Sequence, residues 1–204
     1  MSVQERRARE REELRQEILD AARELFAREG FHNVSMRKIA QKIDYSPTTI
    51  YLYFKDKNEL LTSICEETFT KLVKQFDDIV ASTSDPLEQL RRAGHAYVEF
   101  GLRYPNHYTV TFMGVGHPGH MEAHEFDYRG SMGEKCFMHL RAIVERCVQQ
   151  GKFRPLDLDA TSQGLWAVVH GITSLLITHP RFPWVDKNRL IEQVIDVMTE
   201  GLEA

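Results

Sequence analysis

Residues Asp44 to Pro47 read Asp-Tyr-Ser-Pro and lie between two short runs of helical periodicity. No other stretch limits the folding of this chain as tightly. Upstream, Ile39, Ala40 and Ile43 recur at helical spacing after Ser35, whose hydroxyl suits an N-cap. Downstream, Ser46-Pro47 reads as a cap followed by proline at the first helical position, where the missing N–H costs nothing. Ile50 and Phe54 are four apart and share one helix face. A break this short between two brief helices predicts a helix-turn-helix.

The flanks extend the pattern. Ser2-x-x-Glu5 predicts a capping box, and Leu14, Ile18, Ala21, Ala22, Leu25 and Phe26 then recur at helical spacing up to a stop at Gly30. The first turns carry Arg6, Arg7, Arg9 and Arg11 with no apolar stripe, so they are expected to project from the core. They form either a solvated extension interleaved with Glu or a track for a DNA backbone or minor groove. Asp56-x-x-Glu59 predicts a second capping box, opening a long helix through Leu60, Leu61, Ile64, Phe69, Leu72, Val73, Phe76 and Val80. Helical patterns return over residues 85–103, about 130–150, 158–178 and 187–202. A short apolar run covers 105–115, and the glycines and proline of GVGHPGHMEAHEFDYRG predict a loop. No alternating strand is present in the pattern. The expected architecture is all-α with about nine helices: a three-helix head over residues 1–57 and a larger helical body over 58–204.

Composition adds one constraint. With 42% hydrophobic and 27% charged residues the chain can bury a core. Its net charge of −4 is unevenly placed: residues 1–57 hold 12 Lys and Arg against 10 Asp and Glu, the remainder 14 against 20. The N-terminus has no apolar signal segment, and no run approaches a membrane span, so a cytoplasmic protein without membrane attachment is expected. Cys65, Cys136 and Cys147 form no CxxC pair, and an odd count fits a disulfide framework poorly, which agrees with a reducing compartment.

The chemistry concentrates around residue 50. With Ile50 and Phe54 turned inward, Pro47, Thr48, Thr49, Tyr51 and Tyr53 face wholly or partly outward. Threonine is a poor helix former, and a neutral surface more naturally carries Glu, Lys or Ala. Threonine hydroxyls and methyls suit base edges and thymine methyls in a major groove; tyrosine hydroxyls donate to phosphates. Lys57 falls in the first turn of the long helix, where the dipole disfavours a cation by roughly a few tenths of a kcal/mol. A phosphate at that helix start reverses the sign. Lys55 adds to it, Arg37 can reach a phosphate or a guanine edge, and Ser35 offers a hydroxyl or an N–H.

The spacing of Ser35, Ile39, Ala40, Ser46, Ile50, Tyr51, Tyr53, Phe54, Lys57, Leu60 and Leu61 resembles the N-terminal module of the TetR family of transcriptional regulators, and AARELFAREGF upstream fits as well. Asp44 stands where that family usually has glycine, so the turn needs a left-handed aspartate or a slightly different path. Lys38 stands where an acid is common and adds charge near the duplex. The resemblance implies that Arg37, Pro47, Thr48, Thr49 and Tyr51 form the base-side group and that Ser35, Tyr53 and Lys57 hold phosphates. It further implies a homodimeric regulator rather than an enzyme, with no cofactor. Its partners are a palindromic double-stranded DNA operator and a small-molecule effector. A repressor is the usual sense in this family; the alternatives are a helical protein-interaction module or a transcriptional activator without small-molecule control.

The body carries two expectations. Leu190, Ile191, Val194, Ile195, Val197, Met198 and Leu202 make a stripe wider than one core contact needs. The segment LWAVVHGITSLLI is apolar nearly all round. These two helices either pack as a four-helix interface with a second copy or are buried within one monomer. Phe100, Tyr104, Tyr108, Phe112, Met113, Met132, Phe137, Leu140, Trp166 and His170 supply lining for an apolar ligand, or else plain core. WAVVHG, Trp166 to Gly171, resembles one branch of the family's variable C-terminal domains. His117, His120 and His124 have a spacing that would gather three imidazoles on a helix, but Pro118 and Gly119 favour a loop, and no metal is expected.

Overall fold

In the computed structural model, residues 2–113 and 128–204 are described, and their regular structure is helical. There are nine α-helices among them: α1 (Val3–Glu29), α2 (Met36–Lys42), α3 (Pro47–Tyr51), α4 (Lys57–Ser82), α5 (Pro86–Arg103), α6 (Pro105–Phe112), α7 (Met132–Gln149), α8 (Leu158–Thr178) and α9 (Lys187–Glu200). A 3-10 turn, Phe31–Asn33, joins α1 to α2. His117, His120 and His124 lie outside the described residues. No helix among the described residues is long and apolar enough to cross a membrane.

The chain divides into two compact units, Met1–Thr68 with Asn106–Asp127, and Phe69–Pro105 with Tyr128–Ala204. The core of the first gathers Ile18, Leu19, Ala22, Leu25 and Phe26 of α1, Ile39 and Ala40 of α2, Ile50 of α3, and Leu60, Leu61 and Ile64 of α4. Ala21, Phe31, Val34, Met36, Phe54 and Val110 complete it. Arg23 is buried here and forks between Asp20 and Glu67, at 2.7 and 2.8 Å, which ties α1 to α4. On α6, His107 is buried with its Nδ1 2.9 Å from the Thr68 hydroxyl, whose own proton goes to the Ile64 carbonyl at 2.8 Å. That hydroxyl has only one proton, so the His107 Nδ1 must be the donor.

The expected caps form, with one difference. Ser2 and Glu5 make the full capping box. Ser35 accepts from the Lys38 N–H, and Ser46 from that of Thr49. Asp56 accepts from the Glu59 N–H at 2.9 Å, but the Glu59 carboxylate takes the N–H of Lys55, at 2.6 Å. The box at the start of α4 is therefore shifted by one residue on its return arm. Asp44 resolves the question of the turn by adopting φ 58°. That left-handed conformation strains a residue with a Cβ and leaves glycine unstrained. Asp44→Gly is expected to stabilise the protein by about 0.5–1 kcal/mol after the larger entropy loss of glycine is subtracted, read as a higher urea midpoint.

In the second unit α5 is the hub, packed against α7, α8 and α9. Close approach to α9 is possible because Gly94 has no side chain: a Cβ there would stand 3.3 Å from Ile195 Cδ1. Arg91 pairs with Asp196 at 2.6 Å along the same seam. The C-terminal tail is pinned to the segment after α7 by the bridge between Phe153 and Glu203.

Candidate nucleic-acid interface and aromatic cluster

The helix-turn-helix presents its third helix by anchoring it at two points. Ile50 and Phe54 are 0% and 1% exposed, so the rest of α3 is forced outward. Pro47 and Thr48 are exposed, Tyr51 is 54% exposed, and Thr49 is half-buried with its hydroxyl 2.9 Å from that of Ser46. Thr48 therefore keeps a hydroxyl free of the cap, whereas that of Thr49 is already engaged. Leu52, 71% exposed, and Tyr45, 43% exposed, are open at the two ends of α3. The sequence pattern did not single them out, because an exposed apolar residue in a turn leaves no periodic signature.

The cations around α3 differ sharply from one another. Arg37 is exposed, and the Lys55 side chain is 87% exposed with only a distant carboxylate, Asp56, at 3.9 Å. Lys38 is instead paired with Glu29, whose carboxyl is held below the usual range by that hydrogen bond and by Arg28. Lys57 turns into the head: its Nζ donates to the carbonyls of Phe31 and Val34, at 2.6 and 2.9 Å, and sits 4.2 Å from the Phe31 ring centroid. Burial lowers its pKa from the ordinary lysine value. Two of its three donors thus brace the turn before α2, leaving one for any other partner. Ser35 is exposed at the start of α2, and Tyr53 is half-buried beneath the Arg11 guanidinium at 5.8 Å.

The aromatic residues of the body fall into separate groups. Tyr108 and Phe112, buried and 4.9 Å apart, belong to the first unit. In the second unit the rings of Phe100 and Tyr104 meet at a tilt, their centroids 5.2 Å apart. Phe137, Trp166 and His170 gather there as well, with Trp166 6.4 Å from Phe137 and 6.1 Å from His170. Tyr97 completes this last cluster and was not among the expected lining residues. Its hydroxyl accepts from the Trp166 indole at 3.2 Å and lies 3.3 Å from His170 Nδ1. Spacing along α8 pairs Trp166 with His170, but only packing brings α5 to them.

Trp166 is 42% exposed, as are Val168 at 41% and Leu175 at 47% on the same helix. Gly164 and Gly171 open onto free space, and on α9 Val197 is 61% exposed. A face of α8 and part of α9 are thus apolar and uncovered. The cysteines are free, and burial pushes Cys65 and Cys147 up to about 11 and Cys136 up to about 12. These shifts run opposite to what a reactive thiolate needs.

Comparison with known proteins accounts for both units. A family model of bacterial regulatory proteins of the tetR family matches residues 18–64, and one of the tetracyclin repressor-like C-terminal domain matches residues 90–198. The HTH-type transcriptional activator FasR of Mycolicibacterium smegmatis is 31% identical over 196 residues, 94% of this chain and 80% of that protein. The fatty acid metabolism regulator protein of Bacillus subtilis is 32% identical over 74 residues, 36% of this chain and 38% of that protein, so the match spans well under half of its length. The fatty acid degradation regulator FadR of Bacillus halodurans is similar in fold, with a TM-score of 0.79 over 92% of this chain and 95% of that one at 20% identity. The chain therefore belongs to the TetR family of bacterial transcription regulators, helix-turn-helix proteins that bind DNA and usually act as dimers.

Proposed function

We propose that this protein is a cytoplasmic, homodimeric repressor that binds a palindromic operator and is released by a small apolar or aromatic molecule. Residues 1–57 serve as the DNA-binding domain, and 58–204 as the effector-binding and dimerisation domain. The observation that carries the reading is the outward ridge of Pro47, Thr48 and Tyr51, held in place by the buried anchors Ile50 and Phe54. Such a ridge has no packing role, and its hydroxyls and methyls suit base edges. Arg37 joins it on the base side, with the methyl of Thr49 rather than its engaged hydroxyl; Ser35, Tyr53 and Lys55 are proposed to hold phosphates, Lys57 through its one remaining donor and Lys38 by exchanging Glu29 for the phosphate.

The effector is proposed to lie within the second unit, among Phe100, Tyr104, Phe137, Trp166 and His170; Tyr108 and Phe112 form a separate pair in the first unit. Release then works as a population shift: the effector must prefer the conformer that does not fit DNA, since equal affinity for both would move nothing. A second reading, activation, is favoured by the name of FasR, the relative matched over 94% of this chain. Deleting the gene and measuring transcription beside the selected sites separates the two: expression rises for a repressor and falls for an activator.

The test of DNA binding is selection of duplexes by the purified protein, followed by a salt titration. Affinity should fall with salt at a slope of about −0.9 per phosphate neutralised. Thr48→Ala is expected to relax base preference at one position of each half-site by about 1–3 kcal/mol while leaving the salt slope unchanged. A protein that selects no duplex sequence, or a variant with unaltered preference, would remove the ridge from this role.

A further inference from the structure

The exposed start of α1 carries more arginine than a solvated helix needs, and the arginines are not equivalent. Arg6 pairs with Glu10 at 3.5 Å, Arg9 with Glu13 at 3.2 Å, and Arg15 with Glu12 at 3.7 Å. Arg7 and Arg11 have no carboxylate partner among the described residues; Glu10, three residues beyond Arg7, is taken by Arg6. Arg7, Arg11 and Arg15 also follow one another at four-residue steps, so they form a ladder on one face. Like charges at that spacing weaken a helix, and the neighbours of Arg11 three residues away, Ala8 and Leu14, offer no relief.

The upper two rungs of the ladder, Arg11 and Arg15, lie against the helix-turn-helix, and Arg7 continues the same face one turn further out. The Arg11 guanidinium lies 5.8 Å from the Tyr53 ring centroid, and that of Arg15 lies 5.3 Å from the Phe54 ring centroid. Both rings belong to the stretch just after α3. A cation held over an aromatic face keeps its N–H groups at the rim free to donate. Two guanidinium groups without a carboxylate partner among the described residues, Arg7 and Arg11, beside a DNA-reading helix call for an anionic partner, and a duplex backbone carries one charge for about every 3.4 Å of axis on each strand.

We propose that Arg7 and Arg11 bind backbone phosphates flanking each operator half-site, with Tyr53 positioning Arg11. This rests on the DNA-binding reading of α3 and adds a sequence-independent contact supplied by α1. The paired arginines Arg6 and Arg9 take no part.

The experiment compares the full-length protein with two double variants of equal charge change, Arg7→Gln/Arg11→Gln and Arg6→Gln/Arg9→Gln, on a selected operator duplex with about ten flanking base pairs on each side. The first variant should flatten the salt slope by about 1.8 for each bound head. It should leave the ranking of operator sequences intact and unfold at about the same urea concentration as the parent, because removing like charges four apart offsets the loss of the Arg11 contact with the Tyr53 ring. The second should change the slope by less than half as much. Equal slopes for the two variants, or no change in either, would overturn the proposal while DNA binding by the parent stands. Trimming the flanks to the bare half-sites should erase the difference between parent and first variant; a difference that persists would overturn the flanking placement. If the parent shows no salt-dependent duplex binding at all, the reading of α3 fails, and this proposal with it.

Discussion

Replacing Lys57 with methionine is expected to destabilise the first unit by about 3 kcal/mol, before any DNA is present. Hydrogen bonds from a charged group contribute about 1.5–3 kcal/mol each. The Lys57 ammonium makes two, to the carbonyls of Phe31 and Val34, and both are partly buried. Its position over the Phe31 ring adds about 0.5–1 kcal/mol. Partial exposure discounts the total, since water can reach part of what methionine vacates. Urea unfolding should show a lower midpoint at unchanged slope against denaturant. Operator affinity then falls mainly through the folded fraction and the placement of α2. A flattening of the salt slope by about 0.9 for each head would show that the third donor also holds a phosphate. An unchanged midpoint would mean that the ammonium leaves those carbonyls in solution.

The second large effect is expected at the uncovered apolar face. Val168→Asp combined with Leu175→Asp should convert the proposed dimer, of about twice 23.7 kDa, into a monomer, measured as solution mass. Both side chains are over 40% exposed in the single chain, so two carboxylates there are solvated at little cost to the fold. In a closed interface the same carboxylates would lose water without a partner, at about several kcal/mol each. Binding to the proposed palindromic operator should fall at least about 100-fold, because two linked heads gain affinity from the effective concentration of the second. Retention of the dimer by this variant would place the contact elsewhere.

Much of the first unit was legible in the sequence because its signals are local. Ser46 as a cap, Pro47 at the first helical position, and Ile50 and Phe54 four apart all act within one or two turns. The side chains they leave outward follow from helix geometry alone. The boundaries of α5, α7, α8 and α9 were close to expectation for the same reason. The aromatic set of the body was less legible. Helical spacing pairs Tyr108 with Phe112 and Trp166 with His170, but it cannot say which pairs share a unit or that Tyr97 bridges Trp166 and His170.

The sequence by itself determined an all-helical chain, a helix-turn-helix near its start and the face that α3 turns outward, since periodicity and capping depend on neighbours within a few residues. Only the tertiary structure decided what each cation does. Lys57 faces inward to two carbonyls from a turn more than twenty residues away, Lys38 is neutralised by Glu29, and Arg11 is left unpaired over Tyr53. A charge in a sequence carries no record of its partner. The partner is chosen when distant backbone and side chains are brought within hydrogen-bond reach, and that choice separates a brace for the fold from a hand extended to DNA.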